Sequence, residues 1–252
     1  MCKPIPHPNR FHIRALGAAV LVGFALSACG GSGKHAANDV ASTSASTGSV
    51  VAQVGDTSIT RGSYEHWMKV GDATVNIPVP GRPPPRPVAY EPPSFAACIA
   101  NLKESVAKPH ATKAQLKAKC RQTYTNIQAR VLNFLITGYW LRNEAAEQGV
   151  SVSEAEVRKR FEQEKRRSYP TAASFGKFQE ASLQTVPDLM FAVETQMLSA
   201  KLLERFTGTN GGRYKAEQAK ISAFNRGIAS KWAQRTDCQP GYVVKDCKQY
   251  KG

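Results

Sequence analysis

The stretch TKAQLKAKCRQTYTNIQARVLNFLITGYWLRNEAAEQG, residues 112–149, decides the fold of this chain. Its apolar residues follow one another at steps of three or four, which is the period of one helix face. This face consists of Leu116, Cys120, Tyr124, Ile127, Val131, Phe134 or Leu135, Tyr139 and Ala145. The pattern predicts one long helix with a buried side, which Gly149 ends in the left-handed conformation. We expect this helix to be the spine of a mainly α domain.

The middle of the spine is apolar almost all round, with the sequence VLNFLITGYWL at residues 131–141. A bilayer span needs about 20 apolar residues, and this run is much shorter. A helix that is apolar on every side is normally buried in a protein core. We therefore expect other helices to cover residues 131–141.

The N-terminus has the layout of a secretory signal, a basic segment followed by an apolar run at residues 15–26 that is too short for a stable membrane span. The basic residues are Lys3, Arg10 and Arg14. The following sequence LSAC, residues 26–29, resembles a bacterial lipobox, in which the cysteine thiol receives a diacylglycerol. The resemblance implies removal of residues 1–28 and an extracytoplasmic protein anchored to the cell membrane by lipidated Cys29. An ordinary signal with a chance cysteine is the alternative interpretation.

Residues 29–49 are rich in Gly, Ser, Ala and Thr, which predicts a flexible tether with an average reach on the order of 25 Å. Removal of residues 1–28 takes away three cations and no acid, so the net charge falls from +15 to +12. An exported protein does not routinely meet nucleic acid, so we expect no nucleic-acid partner despite this charge. Anionic lipid headgroups, acidic wall polymer and acidic unfolded chains remain as expected partners. The alternative is that the charge only keeps the protein soluble.

Four cysteines remain once Cys2 leaves with the signal and Cys29 is lipidated. They are Cys98, Cys120, Cys238 and Cys247, an even number in an oxidising compartment. Of three possible connectivities, the local one is simplest, Cys98 with Cys120 and Cys238 with Cys247. Each bond would stabilise the fold by about 3 kcal/mol. A metal site is less favoured, because the chain has no Cys-x-x-Cys and no histidine near either pair.

Residues 50–59 alternate apolar and small residues around Gly55-Asp56, which predicts a small N-terminal β-hairpin. Thr60 is suited to cap a following amphipathic helix. Residues 74–93 contain eight prolines and predict a stiff extended loop. Residues 94–106 predict a short helix, and its apolar face is Phe95, Cys98, Ile99 and Leu102.

Three further helices are indicated between the spine and the GTNGG sequence by capping residues and helical periodicity. Ser153 and Glu156 form a capping box for the first, which is predicted to end near Ser168. A short helix with Phe175 and Phe178 follows, and Thr185 caps a longer one. The predicted inner face of that longer helix is Val186, Met190, Val193, Met197, Ala200 and Leu203. After the break GTNGG, a last helix at residues 213–235 is expected to pack back on the others.

The start VAQVGDTSITRGSYEHWM, residues 51–68, resembles the beginning of the SurA and PrsA type of exported foldases. The order of helices and the closing pattern Trp-x-x-Arg-Thr-x-Cys with Gly-Tyr-Val-Val-x-x-Cys are also similar to lipoprotein foldases of this group. The resemblance implies that residues 50–252 form a multi-helix SurA N-terminal or trigger-factor-like chaperone domain. Such a domain holds unfolded or nascent exported polypeptides.

Foldases of this type usually insert a parvulin prolyl isomerase domain of about a hundred residues before the last helix. Here the five residues GTNGG stand at that point, so we expect the catalytic domain to be absent. Only His66 and His110 lie in the predicted folded part, and neither has a neighbour in sequence that would make it a base. We interpret both as structural, and we assign no catalytic residue, metal or cofactor.

The sequence therefore predicts a membrane-anchored, non-enzymatic holdase that binds unfolded exported chains. The side chains expected to line its apolar cradle are Tyr64, Trp67, Met190, Met197 and Phe206. Core packing is the alternative role for such methionine and aromatic residues. One alternative function is an accessory or degenerate member of the isomerase family. Another is a basic lipoprotein that binds anionic envelope polymer through Lys165, Arg166, Arg167 and the basic tail.

Overall fold

The computed structural model describes residues 49–75, 92–105, 111–208 and 214–251. Lipid attachment at Cys29, nearly all of the tether, most of the proline-rich segment, His110 and most of the GTNGG break lie outside these residues. The described residues form seven α-helices and one three-stranded antiparallel sheet. The prediction of a mainly α protein is therefore confirmed.

The strands of the sheet come at the beginning and the end of the folded region, and the helices lie between them in sequence. They are β1 (Val50–Val54), β2 (Thr57–Thr60), α1 (Arg61–Val75), α2 (Ala96–Ser105), α3 (Lys113–Glu147), α4 (Glu154–Ser168), α5 (Ala172–Ser182), α6 (Val186–Thr207), α7 (Tyr214–Ala233) and β3 (Thr236–Cys238). The predicted capping box at Ser153 is formed and Thr185 caps α6 as predicted, and α3 has a capping box of Thr112 and Gln115 that was not predicted. Gly149 has a φ of +63° and ends the spine as predicted.

The sheet has the strand order β2-β1-β3, so β1 is its centre. The predicted hairpin of β1 and β2 is confirmed, with Val54 opposite Thr57. Strand β3 was not predicted, because three residues are too few to show an alternating pattern. It pairs antiparallel with β1, placing Cys238 opposite Ala52. The sheet therefore joins the two ends of the folded region.

Helix α3 is the spine of the main core, as its sequence predicts. Helices α1, α6 and α7 and the sheet all contact it. Its middle residues Leu132, Leu135 and Ile136 are almost inaccessible to solvent, in agreement with an apolar run covered on several sides. Thr236 is fully buried, accepts a hydrogen bond from Trp140 Nε1 at 2.7 Å, and donates one to the Trp232 carbonyl.

Helix α6 is buried on two sides, and the predicted inner face corresponds to only one of these sides. Met190, Val193 and Met197 lie toward α4, where only Val193 is fully buried. Leu198 and Leu202 belong to the main core and are more buried. The predicted inner residue Ala200 is exposed. The prediction assumed one buried face, whereas α6 packs against α4 on one side and against α3 and α7 on the other.

Helix α2 and the first half of α3 form an arm with a small core of its own. Phe95, Ile99, Leu116 and both cysteines of one disulfide make up this core. The bonds Cys98–Cys120 and Cys238–Cys247 are both formed, so the local connectivity is confirmed. Because the arm core is small, the first disulfide has a large share in holding α2 against the spine.

Helix α7 returns to the main core. Its buried residues are Ile221, Phe224, Ile228 and Trp232. Glu144 of the spine accepts hydrogen bonds from Trp232 Nε1 at 2.7 Å and from Lys231 Nζ at 2.6 Å. Glu147 accepts bonds from the same lysine and from Arg235. These polar contacts fix the end of α7 beside the end of α3.

Candidate functional site

The five side chains predicted to line an apolar cradle lie in three different places. Tyr64 and Trp67 belong to the main core, Met190 and Met197 lie between α4 and α6, and Phe206 lies near the end of α6. The structure therefore brings the two methionines together between α4 and α6, and places Tyr64 and Trp67 in a different core. The other three residues do not share a surface with them.

Tyr64 and Trp67 are core residues, with exposed fractions of 4% and 7%. The Tyr64 hydroxyl lies 3.4 Å from that of Tyr124, and burial together with this hydrogen bond raises the pKa of Tyr64 well above its usual range. The indole of Trp67 lies against Phe134 and Phe191, with ring centroids 4.6 Å and 6.4 Å away. Both residues therefore stabilise the fold rather than present a surface to a ligand.

Phe206 is the most exposed large apolar residue among those the structure describes, at 57%. Its ring centroid lies 5.6 Å from that of Phe224 on α7. It lies nine positions after Met197 along α6, so the two are about 14 Å apart along the helix axis. Phe206 is therefore an isolated apolar site, and single exposed apolar residues are normal on protein surfaces.

Met190 and Met197 pack against a thin core between α4 and α6. Only Val157, Phe161 and Val193 are fully buried there, whereas both methionines keep part of their surface accessible. Phe175 of α5 also packs against this core, and its ring centroid lies 6.1 Å from that of Phe161. The thin packing leaves Met190, Met197 and Phe175 partly accessible to solvent, although none of them is among the exposed large apolar residues.

Phe175 also contacts two further aromatic rings, Tyr169 and Phe178. The centroid of Tyr169 lies 4.7 Å from that of Phe178 and 5.6 Å from that of Phe175, and all three side chains are half-buried. Burial raises the pKa of the Tyr169 hydroxyl. We call Tyr169, Phe175, Phe178, Met190 and Met197 the methionine–aromatic cluster. Sequence reasoning placed Phe175 and Phe178 on one short helix but did not connect them with the methionines.

The edge of this cluster is basic. The Lys165 ammonium lies 5.3 Å from the ring centroid of Phe161 and 5.4 Å from that of Phe175. Arg166 and Arg167 follow at the exposed end of α4, and Lys165 also pairs with Glu162 at 2.6 Å. A cation over an aromatic face is attracted by the ring quadrupole. The arrangement can therefore accept apolar side chains at its centre and acidic ones at its edge.

His66 has a partner that sequence reasoning missed. Its Nε2 lies 2.8 Å from Asp188 Oδ2, and this oxygen also accepts hydrogen bonds from the backbone and hydroxyl of Thr185. Asp188 is the third residue of α6 and completes its capping box. The pair therefore connects α1 with the start of α6. No local signal could reveal it, because the partners lie 122 positions apart.

Comparisons with protein-family models, curated protein sequences and solved structures found no match for this chain. Across the described ranges, no group of three histidine, cysteine, aspartate or glutamate side chains is placed to hold a metal ion. No helix in those ranges is both long and apolar enough to cross a membrane. The two disulfides indicate an oxidising location.

Proposed function

We propose that this protein is a membrane-tethered extracytoplasmic holdase, anchored through lipidated Cys29, that binds unfolded exported polypeptides and has no prolyl isomerase activity of its own. The observation that carries the proposal is the partly accessible methionine–aromatic cluster on α5, α6 and Tyr169, the C-cap of α4. Methionine side chains adapt to differently shaped apolar partners, and aromatic rings supply large contact areas. A surface of this kind suits a chaperone, which must accept many sequences.

The arrangement of elements supports a SurA N-terminal-like fold as part of this proposal. A hairpin opens the folded region, the long spine helix α3 lies at its centre, and after the sequence GTNGG the chain returns, with α7 against α3 and β3 paired with β1. The sequence resemblance led us to expect the hairpin, the order of the helices and the return of the last helix, but not β3. Release of a client from such a surface needs no chemical step, because each apolar contact is weak and reversible.

Suppression of aggregation tests this function. The mature chain, residues 29–252 with Cys29→Ser, is mixed with a chemically unfolded model client, and light scattering is followed at low salt and at about 0.5 M salt. We expect near-stoichiometric suppression at both salt concentrations, because apolar contacts are not screened. Absence of suppression, or its complete loss in salt, would contradict the proposal.

A pair of variants tests whether the methionine–aromatic cluster is the binding surface. Phe178→Gln combined with Met190→Gln removes two apolar side chains from it, and we expect suppression to weaken at least about tenfold. Leu183→Gln combined with Phe206→Gln is the matched control, since both residues are exposed and lie outside the cluster. We expect the control to act like the parent chain. Circular dichroism melts establish that both variants are folded.

A further inference from the structure

The positive charge of the mature chain is concentrated in one segment. Residues 76–143 contain ten Lys or Arg and two acidic residues, so they contribute +8 of the net charge of +12. No acidic residue occurs at all between residues 105 and 143. By contrast, residues 144–208 contain nine Lys or Arg and ten acidic residues. The basic segment includes the whole of the arm formed by α2 and the first half of α3.

The arm cations are free of internal ion pairs among the described residues. Lys117 and Arg121 have no carboxylate within 4 Å there, whereas on α4 Arg158, Arg160 and Lys165 each pair with a glutamate of the same helix. Lys117 and Arg121 lie four positions apart, so they share one side of α3. That side therefore presents uncompensated positive charge.

The C-terminal loop packs against the same side of α3. Thr125, four positions after Arg121, lines a groove of about 330 Å³ together with Gln128 of α3 and with Val243, Lys245 and Tyr250 of the loop. Gln128 Nε2 donates a hydrogen bond to the Gly241 carbonyl at 3.1 Å, which holds the loop in place. The Cys238–Cys247 disulfide closes the loop. The loop therefore adds the exposed Lys245 to the arm cations, with the carboxylate of the more buried Asp246 as its electrostatic neighbour.

Two large apolar side chains of this loop are exposed beside these cations. Val243 is 40% exposed and Tyr250 is 51% exposed. Apolar and tyrosine side chains interspersed with Lys and Arg are typical of surfaces that lie against a membrane interface. We call Lys117, Arg121, Val243, Lys245 and Tyr250 the basal face.

The chain that leads from the predicted lipid anchor joins the folded region near this face. Ser49 Oγ accepts a hydrogen bond from Arg61 Nε at 2.9 Å, and the Arg61 guanidinium lies 5.6 Å from the ring centroid of Tyr242 in the C-terminal loop. Tyr242 contacts Tyr64 edge to face at 5.1 Å, and Tyr64 in turn reaches Tyr124 of α3. A short series of side-chain contacts therefore connects the tether junction with the base of the arm.

We propose that the basal face docks on the anionic lipid headgroups of the membrane that holds the anchor. A tether with a reach on the order of 25 Å keeps the face at high effective concentration near those headgroups. Each Lys or Arg near an anionic bilayer adds attraction, and the exposed Val243 and Tyr250 suit a bilayer better than a fully hydrated polymer. Docking by this face orients the arm toward the lipid, and it does not depend on the proposed holdase activity.

Vesicle binding tests the docking without any client. The mature chain with Cys29→Ser, which has no acyl chain to drive binding, is sedimented with vesicles of phosphatidylcholine containing about 30% phosphatidylglycerol, and with pure phosphatidylcholine. We expect binding to the anionic vesicles only. The variant Lys117→Gln, Arg121→Gln, Lys245→Gln should bind about 100-fold more weakly.

The matched control replaces three exposed cations on other helices with glutamine, and these are Lys159, Lys177 and Arg226. It loses the same charge, and we expect its binding to fall by less than about tenfold. Equal weakening in both triple variants would overturn the basal face as the docking site. Failure of the parent chain to bind anionic vesicles would overturn docking altogether. Binding to dextran sulfate as tight as to the vesicles would assign the face to soluble polyanions instead.

Discussion

Glu144 of α3 and Trp232 of α7 are joined by a 2.7 Å hydrogen bond across 88 positions of sequence. The Glu144 side chain is almost fully buried, and it also accepts bonds from Lys231 at 2.6 Å and from Gln148 at 2.5 Å. A buried carboxylate is tolerated only when donors of this kind replace its water. The position of α7 therefore depends on Glu144 of the spine.

Glu144→Ala is expected to destabilise the protein by about 3 kcal/mol, because it leaves the buried indole N–H and the Lys231 ammonium with fewer partners. Urea unfolding followed by tryptophan fluorescence measures the change. Glu164→Ala is the control, since Glu164 pairs with Arg160 on the exposed surface of α4. We expect the control to cost about 0.5 kcal/mol or less. Similar losses in the two variants would contradict the importance of the buried bond.

The free energy of unfolding should decrease in acid because carboxylates at the contact between α3 and α7 become protonated. Burial alone would raise the pKa of Glu144, but the hydrogen bonds from Lys231, Trp232 and Gln148 outweigh it and lower the pKa below 4.5. The hydrogen bond from Lys231 is the main reason why the pKa of Glu147 is also lowered. A carboxyl whose pKa is lower in the folded state stabilises the fold above its unfolded pKa and loses this effect as pH falls through its folded pKa.

We therefore expect the free energy of unfolding to decrease below about pH 4.5, with a shallower decrease in Glu144→Gln. The Lys231 pKa is raised by Glu144 and Glu147, so its contribution is complete below its unfolded value of 10.5 and is lost only as pH rises through the higher folded value. Urea titrations at several pH values measure these slopes. If the free energy of unfolding of Glu144→Gln decreases in acid as steeply as that of the parent chain, Glu144 is not a cause of the decrease.

Gly138→Ala should destabilise the contact between α3 and α6. A Cβ at this position would lie 2.5 Å from Phe191 Cζ, and the Phe191 ring is enclosed by Phe134, Tyr139 and the Arg142 guanidinium. We expect a loss of about 1–3 kcal/mol, because such a crowded ring must shift out of a packed core. Thermal melts measure it.

Gly227→Ala is the opposite case and serves as the control for Gly138→Ala. Nothing lies within 4 Å of a Cβ built at Gly227, which is in the interior of α7. Alanine should stabilise this helix by roughly 0.5–1 kcal/mol, because it restricts the unfolded chain and favours helix. A melting temperature that rises in Gly138→Ala, or falls in Gly227→Ala, would contradict the packing described for these helices.

The double variant Cys98→Ala, Cys120→Ala removes the Cys98–Cys120 disulfide. It should lower the free energy of unfolding of the arm by about 3 kcal/mol and leave the main core folded. Helix α2 packs on α3, and only a small apolar core joins them. Hydrogen exchange should therefore lose protection in residues 96–105 and retain it in residues 131–145. Loss of protection in both regions would show that the arm and the main core unfold together.

Much of the fold could be predicted from the sequence, because helices are specified by neighbours in the chain. The periodicity of residues 112–149 and the caps at Ser153 and Thr185 gave helix positions that the structure confirms. The even number of cysteines outside the signal and their spacing gave the disulfides. The candidate site was predicted only in part, since Met190 and Met197 meet but Tyr64 and Trp67 are buried in the main core.

The sequence by itself determined the spine, the caps and the basic character of the chain, since all of these depend on residue types and on spacings of a few positions. Only the tertiary structure decided the third strand, the partner of His66 and the bond between Glu144 and Trp232. Each of these joins residues far apart in the chain, and no local sequence pattern determines which distant residue becomes the partner. The same reason explains why the partly accessible methionine–aromatic cluster could be recognised only once the helices were packed together.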